Sequence, residues 1–333
     1  MIVALIFRKY TPSFYSIENL FRTISGAFKI SKVRTVYMPF KSALNPFALI
    51  HNMWYAHKHQ GDINHITGDI YYTALALDGK KTVLTIHDLE SLHSSSKFKN
   101  IILQLFWLKL PVQRARYVTV ISEHSRQKLL SASGITEEKV FVIPNCICFR
   151  EEDFKPKEGP LSGKPILLQI GTKTNKNLEN LSKALAGLNC KLFIVGKLSD
   201  AQINLLYSYQ IDYENFVNIS EQELKRLYYI ADIVTFISMY EGFGLPILEA
   251  NALGRPVITS NVTAMPEVAG NAALLVDPMD TTQIHLAIKQ LICDEALREQ
   301  LVRAGYNNVK RFRPEAVAAQ YEALYQKVMS ENA

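Results

Sequence analysis

Short apolar segments rich in Val and Ile alternate along the chain with longer segments of helical periodicity. The apolar segments predict eleven β-strands, six in the first half of the chain and five in the second. The expected ranges are 2–7, 34–38, 63–67, 82–86, 117–121, 140–143, 165–170, 191–195, 233–237, 256–259 and 273–276. Near-continuous apolar strands separated by helices are typical of parallel sheets that are covered on both faces. The pattern therefore predicts an α/β fold built from doubly wound parallel sheets.

The segment over residues 150–164, REEDFKPKEGPLSGK, interrupts this alternation. It mixes charge, Pro and Gly without periodicity, which is typical of a linker. A chain of 333 residues also exceeds the usual size of a single domain. We expect a first domain over residues 1–150, a second over 151–313 and a separate helix over 314–333. That helix begins near Pro314, a residue favoured in the first helical turn. The pattern alone does not decide whether it crosses back to the first domain.

The overall composition is that of an ordinary water-soluble globular protein, with 48% hydrophobic and 20% charged residues. No segment reaches the roughly 18–20 uncharged apolar residues that span a bilayer. The opening segment MIVALIFRKY places its charges after a short apolar run, the reverse of a signal peptide. The four cysteines show no CxxC spacing, so neither a disulfide framework nor a structural zinc site is indicated. We therefore expect a cytoplasmic protein.

Charge is unevenly distributed between the two halves of the chain. Residues 1–150 contain 19 Lys and Arg against 9 Asp and Glu, a net charge of +10, whereas the remainder contains 18 against 22, a net charge of −4. A basic half suggests an anionic partner, such as a membrane surface or a phosphate-bearing substrate, although solvated lysines without a role explain it equally well. Nucleic acid is disfavoured as a partner because the basic residues are dispersed and form no recognised motif.

Residues 97–116, KFKNIILQLFWLKLPVQRAR, combine basic flanks with a strongly apolar centre. One interpretation is an interfacial helix that lies on anionic lipid, which would make the protein peripheral on the inner face of the membrane. The other is a core helix of the first domain, which the apolar character of IILQLFWL on all sides favours. Attraction of the basic half to an anionic membrane surface is a more plausible hypothesis than insertion of this helix.

Residues 239–254, MYEGFGLPILEANALG, place two glutamates on either side of a glycine-containing turn. The predicted strand 233–237 precedes the turn, Pro246 fits the start of the next helix, and Gly254 fits its end. The turn therefore joins the carboxyl end of a strand to a helix N-terminus. Free N–H groups and the helix dipole favour a phosphate at such a position.

The two glutamates, Glu241 and Glu249, suit a different part of a ligand. A carboxylate does not bind phosphate, but it accepts hydrogen bonds from sugar hydroxyls. A nucleotide sugar, with a diphosphate between two hydroxyl-bearing groups, fits this arrangement. The alternative is that Glu249 only complements the helix dipole and that Glu241 is a solvated loop residue.

The segment 237–280, ISMYEGFGLPILEANALGRPVITSNVTAMPEVAGNAALLVDPMD, resembles the donor-binding region of retaining family 4 glycosyltransferases, which have the GT-B fold. Glu241 and Glu249 match the E-x7-E signature of that family. Upstream, ILLQIGTKTNKNLENLSKAL (166–185) resembles the strand, loop and helix that hold the donor diphosphate in these enzymes. The resemblance implies two Rossmann-like doubly wound parallel-sheet domains facing across a cleft, the first for the acceptor and the second for the nucleotide-sugar donor.

The resemblance also implies roles for single residues of the donor side. Lys176 matches the usual lysine of the family, and Gly171 matches the glycine that ends the strand. Thr172 stands where the family often has arginine, and Lys173 is a candidate to supply that charge. The implied catalytic residues are His87, Glu241 and Lys176. The implied donor-binding residues are Gly171, Lys173, Lys176, Gly242, Phe243, Gly244, Leu245 and Glu249.

The acceptor side is implied by weaker similarity over 62–77, 81–92, 118–130 and 140–146. His87 matches a histidine that lies near the transferred sugar in this family, and a satisfied loop histidine is the alternative. The loop over 8–21 lacks the Gly-Gly pair that family members often carry there. The acceptor-side candidates are Ser16, as a substitute donor to a phosphate in that loop, together with His65, Asp69 and Ser122. Ser122 also fits a simple helix cap.

The family implies transfer of a sugar from a UDP- or GDP-sugar to a hydroxyl of a glycan or lipid-linked acceptor, with retention, in cell-surface polysaccharide or glycolipid biosynthesis. The sequence contains no Asp-x-Asp, so we expect chemistry without a metal or another cofactor, with Lys176 and the amides near Gly244 stabilising the leaving diphosphate. A GT-B nucleotide-sugar epimerase and a non-catalytic sugar-nucleotide-binding protein stay open as alternatives. A glycan phosphorylase is disfavoured, because no pyridoxal-phosphate lysine motif is recognisable.

Overall fold

The computed structural model describes residues 1–11, 16–41, 45–87, 103–149, 161 and 163–332. The chain divides into two compact units, one formed by Met1–Cys148 with Arg313–Ala333 and the other by Phe149–Phe312. Each unit contains a six-stranded parallel sheet with helices packed against it. The prediction of an α/β fold with doubly wound parallel sheets is confirmed.

The sheet of the first unit has the strand order β2-β1-β3-β4-β5-β6. Its strands are β1 (Ile2–Phe7), β2 (Lys32–Tyr37), β3 (Ile63–Ile66), β4 (Thr82–Ile86), β5 (Tyr117–Val120) and β6 (Val140–Val142). The helices of this unit are α1 (Ser16–Gly26), α2 (Pro46–Lys58), α3 (Leu110–Arg114), α4 (Glu123–Ser133) and, at the end of the chain, α12 (Pro314–Ser330). A π-helical segment, Gln104–Lys109, leads into α3.

The central strands of this sheet are apolar because both of their faces are covered. All residues of β3 and β4 are buried, which explains why the sequence pattern identifies them so clearly. In contrast, β2 lies at the edge of the sheet and exposes its first four residues. The strand begins at Lys32, two residues before the predicted start at residue 34. Lys32 and Val33 are exposed, so they give no signal of a buried strand.

The last helix of the chain, α12, belongs to the first unit, although the second unit precedes it in sequence. Its apolar face packs into the core that also holds Leu5, Phe21 and Val83. The carboxylate of Glu322 accepts the backbone N–H groups of residues 29, 30 and 31 at 3.0, 2.8 and 2.7 Å. These bonds tie the helix to the turn that follows α1, so the C-terminal helix is an integral layer of this unit.

The sheet of the second unit has the strand order β12-β11-β10-β7-β8-β9. Its strands are β7 (Ile166–Ile170), β8 (Lys191–Val195), β9 (Tyr213–Phe216), β10 (Ile233–Phe236), β11 (Val257–Ser260) and β12 (Leu274–Val276). Its helices are α5 (Leu178–Leu185), α6 (Asp200–Ser208), α7 (Glu221–Ile230), α8 (Leu245–Ala252), α9 (Met265–Ala269), α10 (Thr281–Cys293) and α11 (Glu295–Val309). Sequence analysis missed β9, an edge strand whose four residues, YENF, include no buried position.

The segment 97–116 is described from residue 103 onward, and residues 97–102 lie outside the described residues, as does most of the predicted linker 150–164. Trp107, Leu108 and Val112 are buried in the core of the first unit. Leu105 and Phe106 are 40% and 43% exposed. The described part is thus chiefly a core helix with two apolar side chains at its surface. Across the described ranges, every helix is either too short or too polar to cross a membrane.

Candidate functional site

The turn between β10 and α8 is shaped by its second glycine. Gly244 has φ +117°, a conformation that side chains rarely adopt. A Cβ placed on it would lie 3.1 Å from Ile247 Cδ1 and 3.4 Å from the Phe236 ring. Pro246 sits in the first turn of α8, as predicted, and Phe243 is buried against the Phe312 ring at 5.8 Å. The N-terminus of α8 is therefore held at the carboxyl end of β10 by both backbone geometry and packing.

Lys176 and Glu241 meet at this edge of the sheet. Because β7 and β10 are neighbouring parallel strands, the loops that follow them lie side by side. Lys176 Nζ is 2.6 Å from Glu241 Oε1, and the two side chains are 20% and 16% exposed. The ammonium also lies 4.7 Å from the centre of the Phe236 ring. Two of the three predicted catalytic residues thus form a mostly buried ion pair.

Gly171, at the end of β7, makes room for that lysine. Its φ is +91°, and a Cβ there would lie 3.0–3.2 Å from three side-chain carbons of Lys176. Its N–H donates to Val195 O at 2.8 Å. A larger residue at this position would displace the lysine side chain that reaches Glu241.

Two further residues hold Glu241, and sequence analysis did not identify either. Asn175 Nδ2 donates to Glu241 Oε1 at 3.2 Å and to Tyr240 O at 3.0 Å. Thr263 Oγ1 accepts the backbone N–H of Glu241 at 3.3 Å. Asn175 lies next to Lys176 in the segment 166–185, so its polar side chain in that loop could have been recognised from the sequence as a site candidate. Thr263 gives no signal, since it lies 22 residues away in sequence.

Glu249 lies further along α8 and contacts α7. The hydroxyl of Tyr228 donates to Glu249 Oε2 at 2.6 Å, while Oε1 has no hydrogen-bond partner among the described residues. Burial raises the pKa of Glu249 above its ordinary value of 4.5, the bond from Tyr228 lowers the pKa, and the charge of Glu221 raises it. Glu249 lies beyond the first turn of α8, which contains no acidic residue. Its position therefore argues against a role limited to complementing the helix dipole.

Thr172 and Lys173, which follow Gly171, do not contact Glu241 as Lys176 does. Thr172 Oγ1 donates to Lys197 O at 2.7 Å. The Thr172 side chain also packs against Gly196, because a Cβ placed on Gly196 would lie 3.0 Å from Thr172 Oγ1. Lys173 is exposed and makes no ion pair with the described residues. The structure brings Lys176 to Glu241 and does not bring Lys173 there.

In the first unit, His87 directly follows β4. Its Nε2 lies 3.0 Å from Thr67 O, and its ring meets the Phe21 ring edge to face at 6.0 Å. Asp69 is exposed, with a carboxylate oxygen 3.7 Å from Arg8 Nη1. The hydrogen bond to Thr67 O engages Nε2 of His87 as the donor, and the acceptor-side role of this residue stays a prediction.

Two serines of the acceptor-side prediction lie at helix starts. Ser122 caps α4, because its Oγ accepts the N–H of Ser125 at 3.1 Å, and it is fully buried. Ser16 is the exposed first residue of α1. The capping interpretation of Ser122 therefore accounts for its position.

His65, like Ser122, is a predicted site residue that is fully buried. Its Nδ1 and Nε2 lie 2.6 Å from the Tyr325 hydroxyl and 2.6 Å from Thr85 Oγ1. Burial, and then the nearby His87, lowers the pKa of His65 to about 3, so that the ring is neutral at physiological pH. Both ring nitrogens serve to join β3, β4 and α12, which leaves neither nitrogen for an acceptor.

Within the described ranges, no group of three or more His, Cys, Asp or Glu side chains is placed to hold a metal ion. Metal-independent chemistry stays a prediction.

Comparisons with known proteins agree with this architecture. The family model "Glycosyl transferases group 1" matches residues 150–308, and "Glycosyltransferase Family 4" matches residues 8–149. The chain is 28% identical over 221 residues to the O-antigen chain mannosyltransferase RfbU of Salmonella typhimurium, covering 64% of this chain and 61% of that protein. It is 29% identical over 225 residues to the MMP alpha-(1->4)-mannosyltransferase of Mycolicibacterium hassiacum, covering 63% and 54%. The chain spans less than two thirds of the length of these relatives.

Solved structures share the fold at low sequence identity. A glycosyltransferase from Rickettsia africae matches with a TM-score of 0.77 at 19% identity, covering 98% of both chains. Anabaena HepE, solved in complex with UDP, matches with a TM-score of 0.75 at 16% identity, covering 98% of this chain and all of that one. Two glycosyltransferase family models thus together match residues 8–308, and the chain has the GT-B fold of solved glycosyltransferases.

Proposed function

We propose that the chain is a retaining glycosyltransferase of the family 4 type, which moves a hexosyl group from a UDP- or GDP-sugar to a hydroxyl of a glycan or lipid-linked acceptor. One observation carries the proposal: the Lys176–Glu241 ion pair lies beside the glycine-shaped turn that opens α8. A cation, a carboxylate and the N-terminus of a helix meet at the carboxyl edge of a parallel sheet, where α/β folds bind nucleotides.

The ion pair suits a ligand that carries both negative charge and hydroxyl groups. A diphosphate attracts the ammonium of Lys176 and competes with Glu241 for it, since both are anionic. Once released, Glu241 accepts hydrogen bonds from the hydroxyls of the transferred sugar. Lys176 and the first amides of α8 then stabilise the charge that develops on the leaving diphosphate. Asn175, which holds the same oxygen of Glu241, keeps the carboxylate in place during the exchange.

Glu249 serves the other end of the donor in this proposal. Its Oε1, which has no hydrogen-bond partner in the described part of the chain, is suited to accept the hydroxyls of the ribose, as a carboxylate does for nucleotide riboses in other α/β folds. Mannosyl groups are the first to test, because several relatives are named mannosyltransferases. Among the glucosyl donors, UDP-glucose is the next to test, because HepE was solved in complex with UDP-glucose. The expected product is a cell-surface polysaccharide or glycolipid.

The activity is tested by following nucleotide release from a panel of UDP-, GDP- and ADP-sugars in EDTA, with short mannose- or glucose-containing glycans as acceptors. We expect release from one nucleotide class, with the anomeric configuration of the product retained by proton NMR. Free epimerised sugar nucleotide would indicate the epimerase instead. Nucleotide binding without turnover on any acceptor would indicate a non-catalytic binding protein. A requirement for added metal would overturn the metal-independent mechanism.

An anionic membrane surface is the second partner that we propose, with the enzyme on the cytoplasmic face. One side of α2 exposes Phe47, Ile50 and Trp54 at 65%, 67% and 54%, a spacing of three and four residues that places them on one face. The helix contains no acidic residue and ends in His57 and Lys58. Exposed aromatic residues beside basic ones are typical of helices that lie in the interface of anionic bilayers.

Replacing both Ile50 and Trp54 with serine is expected to abolish flotation of the protein with phosphatidylglycerol vesicles. These side chains are largely exposed, so the fold should be unaffected, which thermal unfolding checks. Tyr207→Ser, at an 85% exposed aromatic residue on α6 of the other unit, is the matched control and should float like wild type. Equal flotation of wild type and both variants would refute the proposed surface. Wild-type protein that binds uncharged phosphatidylcholine vesicles as well as phosphatidylglycerol vesicles would also refute it.

A further inference from the structure

The carboxylate of Glu249 is held from one side by α7. Tyr228, whose hydroxyl donates to Glu249 Oε2 at 2.6 Å, is fully buried, so its position is fixed by packing. Its ring meets the Phe149 ring edge to face at 6.2 Å. The Tyr228 hydroxyl is therefore held in one position. Its hydrogen bond engages Oε2 of Glu249 and leaves Oε1 for a ligand.

The end of α7 is itself held by a buried cation. Arg255 is 3% exposed, and its guanidinium donates to Tyr228 O at 2.7 Å and to Tyr229 O at 3.0 Å. It also donates to Gly254 O at 3.1 Å. The carbonyls of residues 228 and 229 lie in the last turn of α7, where carbonyl groups lack partners within the helix and where a positive charge is favourable.

The same arginine is fixed to the end of α8 through its backbone. The N–H of Arg255 donates to Ala250 O at 2.8 Å. Gly254, with φ +64°, lets the chain turn out of α8 so that the arginine side chain points back to α7. Arg255 thus joins the carboxyl ends of α7 and α8, while Tyr228, in the last turn of α7, is bonded to Glu249 near the middle of α8.

We propose that Tyr228 and Arg255 are positioning residues for the donor, which act by clamping α7 to α8 so that Glu249 keeps Oε2 bonded and presents Oε1 to the ribose. This helix clamp, defined by Tyr228, Glu249 and Arg255, rests on the proposed function for the identity of the ligand. Its geometry stands without it.

The helix clamp has an electrostatic consequence at Glu249. Burial raises the pKa of this carboxyl, and the two titratable groups that act on it both lie on α7: Tyr228, whose hydrogen bond lowers the pKa, and Glu221, whose charge raises it. Tyr228 stays a proton donor because burial raises the pKa of its hydroxyl well above 10. Loss of the Tyr228 hydroxyl therefore moves the pKa of Glu249 upward, whereas a purely structural role for the tyrosine ring does not.

The decisive measurement is the pKa of Glu249 in the free protein, followed by carbon-13 NMR of labelled glutamate carboxyl groups and assigned with Glu249→Gln. We expect a higher pKa in Tyr228→Phe than in wild type, with thermal stability little changed. Tyr207→Phe, at an exposed tyrosine, should leave the pKa of Glu249 unchanged. An unchanged pKa in Tyr228→Phe would overturn the inference, and this readout needs no nucleotide.

Nucleotide titrations provide the functional readout, with UDP and GDP as probes. In Tyr228→Phe, affinity should fall roughly threefold to tenfold, and the loss of affinity on acidification should begin at a higher pH than in wild type. Arg255→Lys keeps the charge but lacks the planar guanidinium that binds several carbonyls at once. We expect its loss of affinity on acidification to begin at a higher pH too. A uniform loss of affinity at all pH values would contradict the helix clamp. Absence of binding by wild type would instead overturn the proposed function, with the NMR result still deciding the role of Tyr228.

Discussion

Replacing Lys176 with methionine is expected to lower kcat for sugar transfer roughly 100- to 1000-fold, the usual effect of removing one preorganised group that stabilises a developing negative charge. Methionine keeps the length and the apolar stem that packs beside Gly171, so the fold should be retained. Steady-state nucleotide release measures the change. Binding of the donor should weaken much less than turnover, because the charge on the diphosphate is largest as the bond to the sugar breaks.

Lys173→Met is the matched control for this change. Lys173 lies in the same loop but is exposed and makes no ion pair with the described residues, so its loss should change turnover far less. Equal losses for the two variants would mean that the loop supplies general positive charge and that no single lysine is placed on the diphosphate. Full activity of Lys176→Met would remove the proposed catalytic role altogether.

Replacing Glu249 with glutamine is expected to weaken nucleotide binding by about 1.5–3 kcal/mol, the usual worth of hydrogen bonds to a charged group. Glutamine preserves the shape, and its amide oxygen can still accept from Tyr228, so the variant removes the charge and replaces the acceptor Oε1 with an NH2 group that donates. Calorimetric titration with UDP and GDP measures the loss. Glu179→Gln, on the exposed side of α5, is the control and should bind like wild type.

The same residue predicts a pH dependence of binding. The pKa of Glu249 is raised above 4.5 chiefly by burial, and binding of the ribose requires the charged form. Affinity of wild type should therefore fall as the pH drops through that raised pKa, and Glu249→Gln should lack this part of the profile. An acid limb that persists in the variant would assign the titration to another group.

The central strands of both sheets could be predicted from the sequence because their residues are buried on both faces. All five residues of β4 are buried, for example, so its pattern is uninterrupted. Two of the four edge strands, β2 and β9, could not be placed as well. The start of β2 is exposed, and β9 contains polar residues and no fully buried position, so neither segment carries the apolar signal on which prediction depends.

Candidate site residues could be proposed from the sequence where they stand in one short segment. Glu241 and Glu249 were proposed from their spacing around the turn, and Lys176 from the family resemblance of the segment 166–185. The structure places Lys176 and Glu241 in contact. Tyr228 and Arg255 were not identified, because their contacts with α8 and α7 join residues 21 and 26–27 positions apart. Such contacts depend on how the helices pack, which no local pattern encodes.

His65 shows that a strand pattern does not reveal the partners of a buried side chain. The family resemblance implied an acceptor-side position for this histidine. Its hydrogen bonds reach Thr85, 20 residues away, and Tyr325, 260 residues away. Strand alternation shows that two faces exist, but it does not show which neighbour covers each face.

A crystal structure of the protein with a bound nucleotide sugar tests the central claim most directly. We predict that the diphosphate contacts Lys176 Nζ and the first amides of α8, that the 2.6 Å bond between Lys176 and Glu241 is broken, and that the ribose hydroxyls reach Glu249 Oε1. A nucleotide bound away from the loops after β7 and β10, or one bound with the Lys176–Glu241 pair intact, would contradict the account.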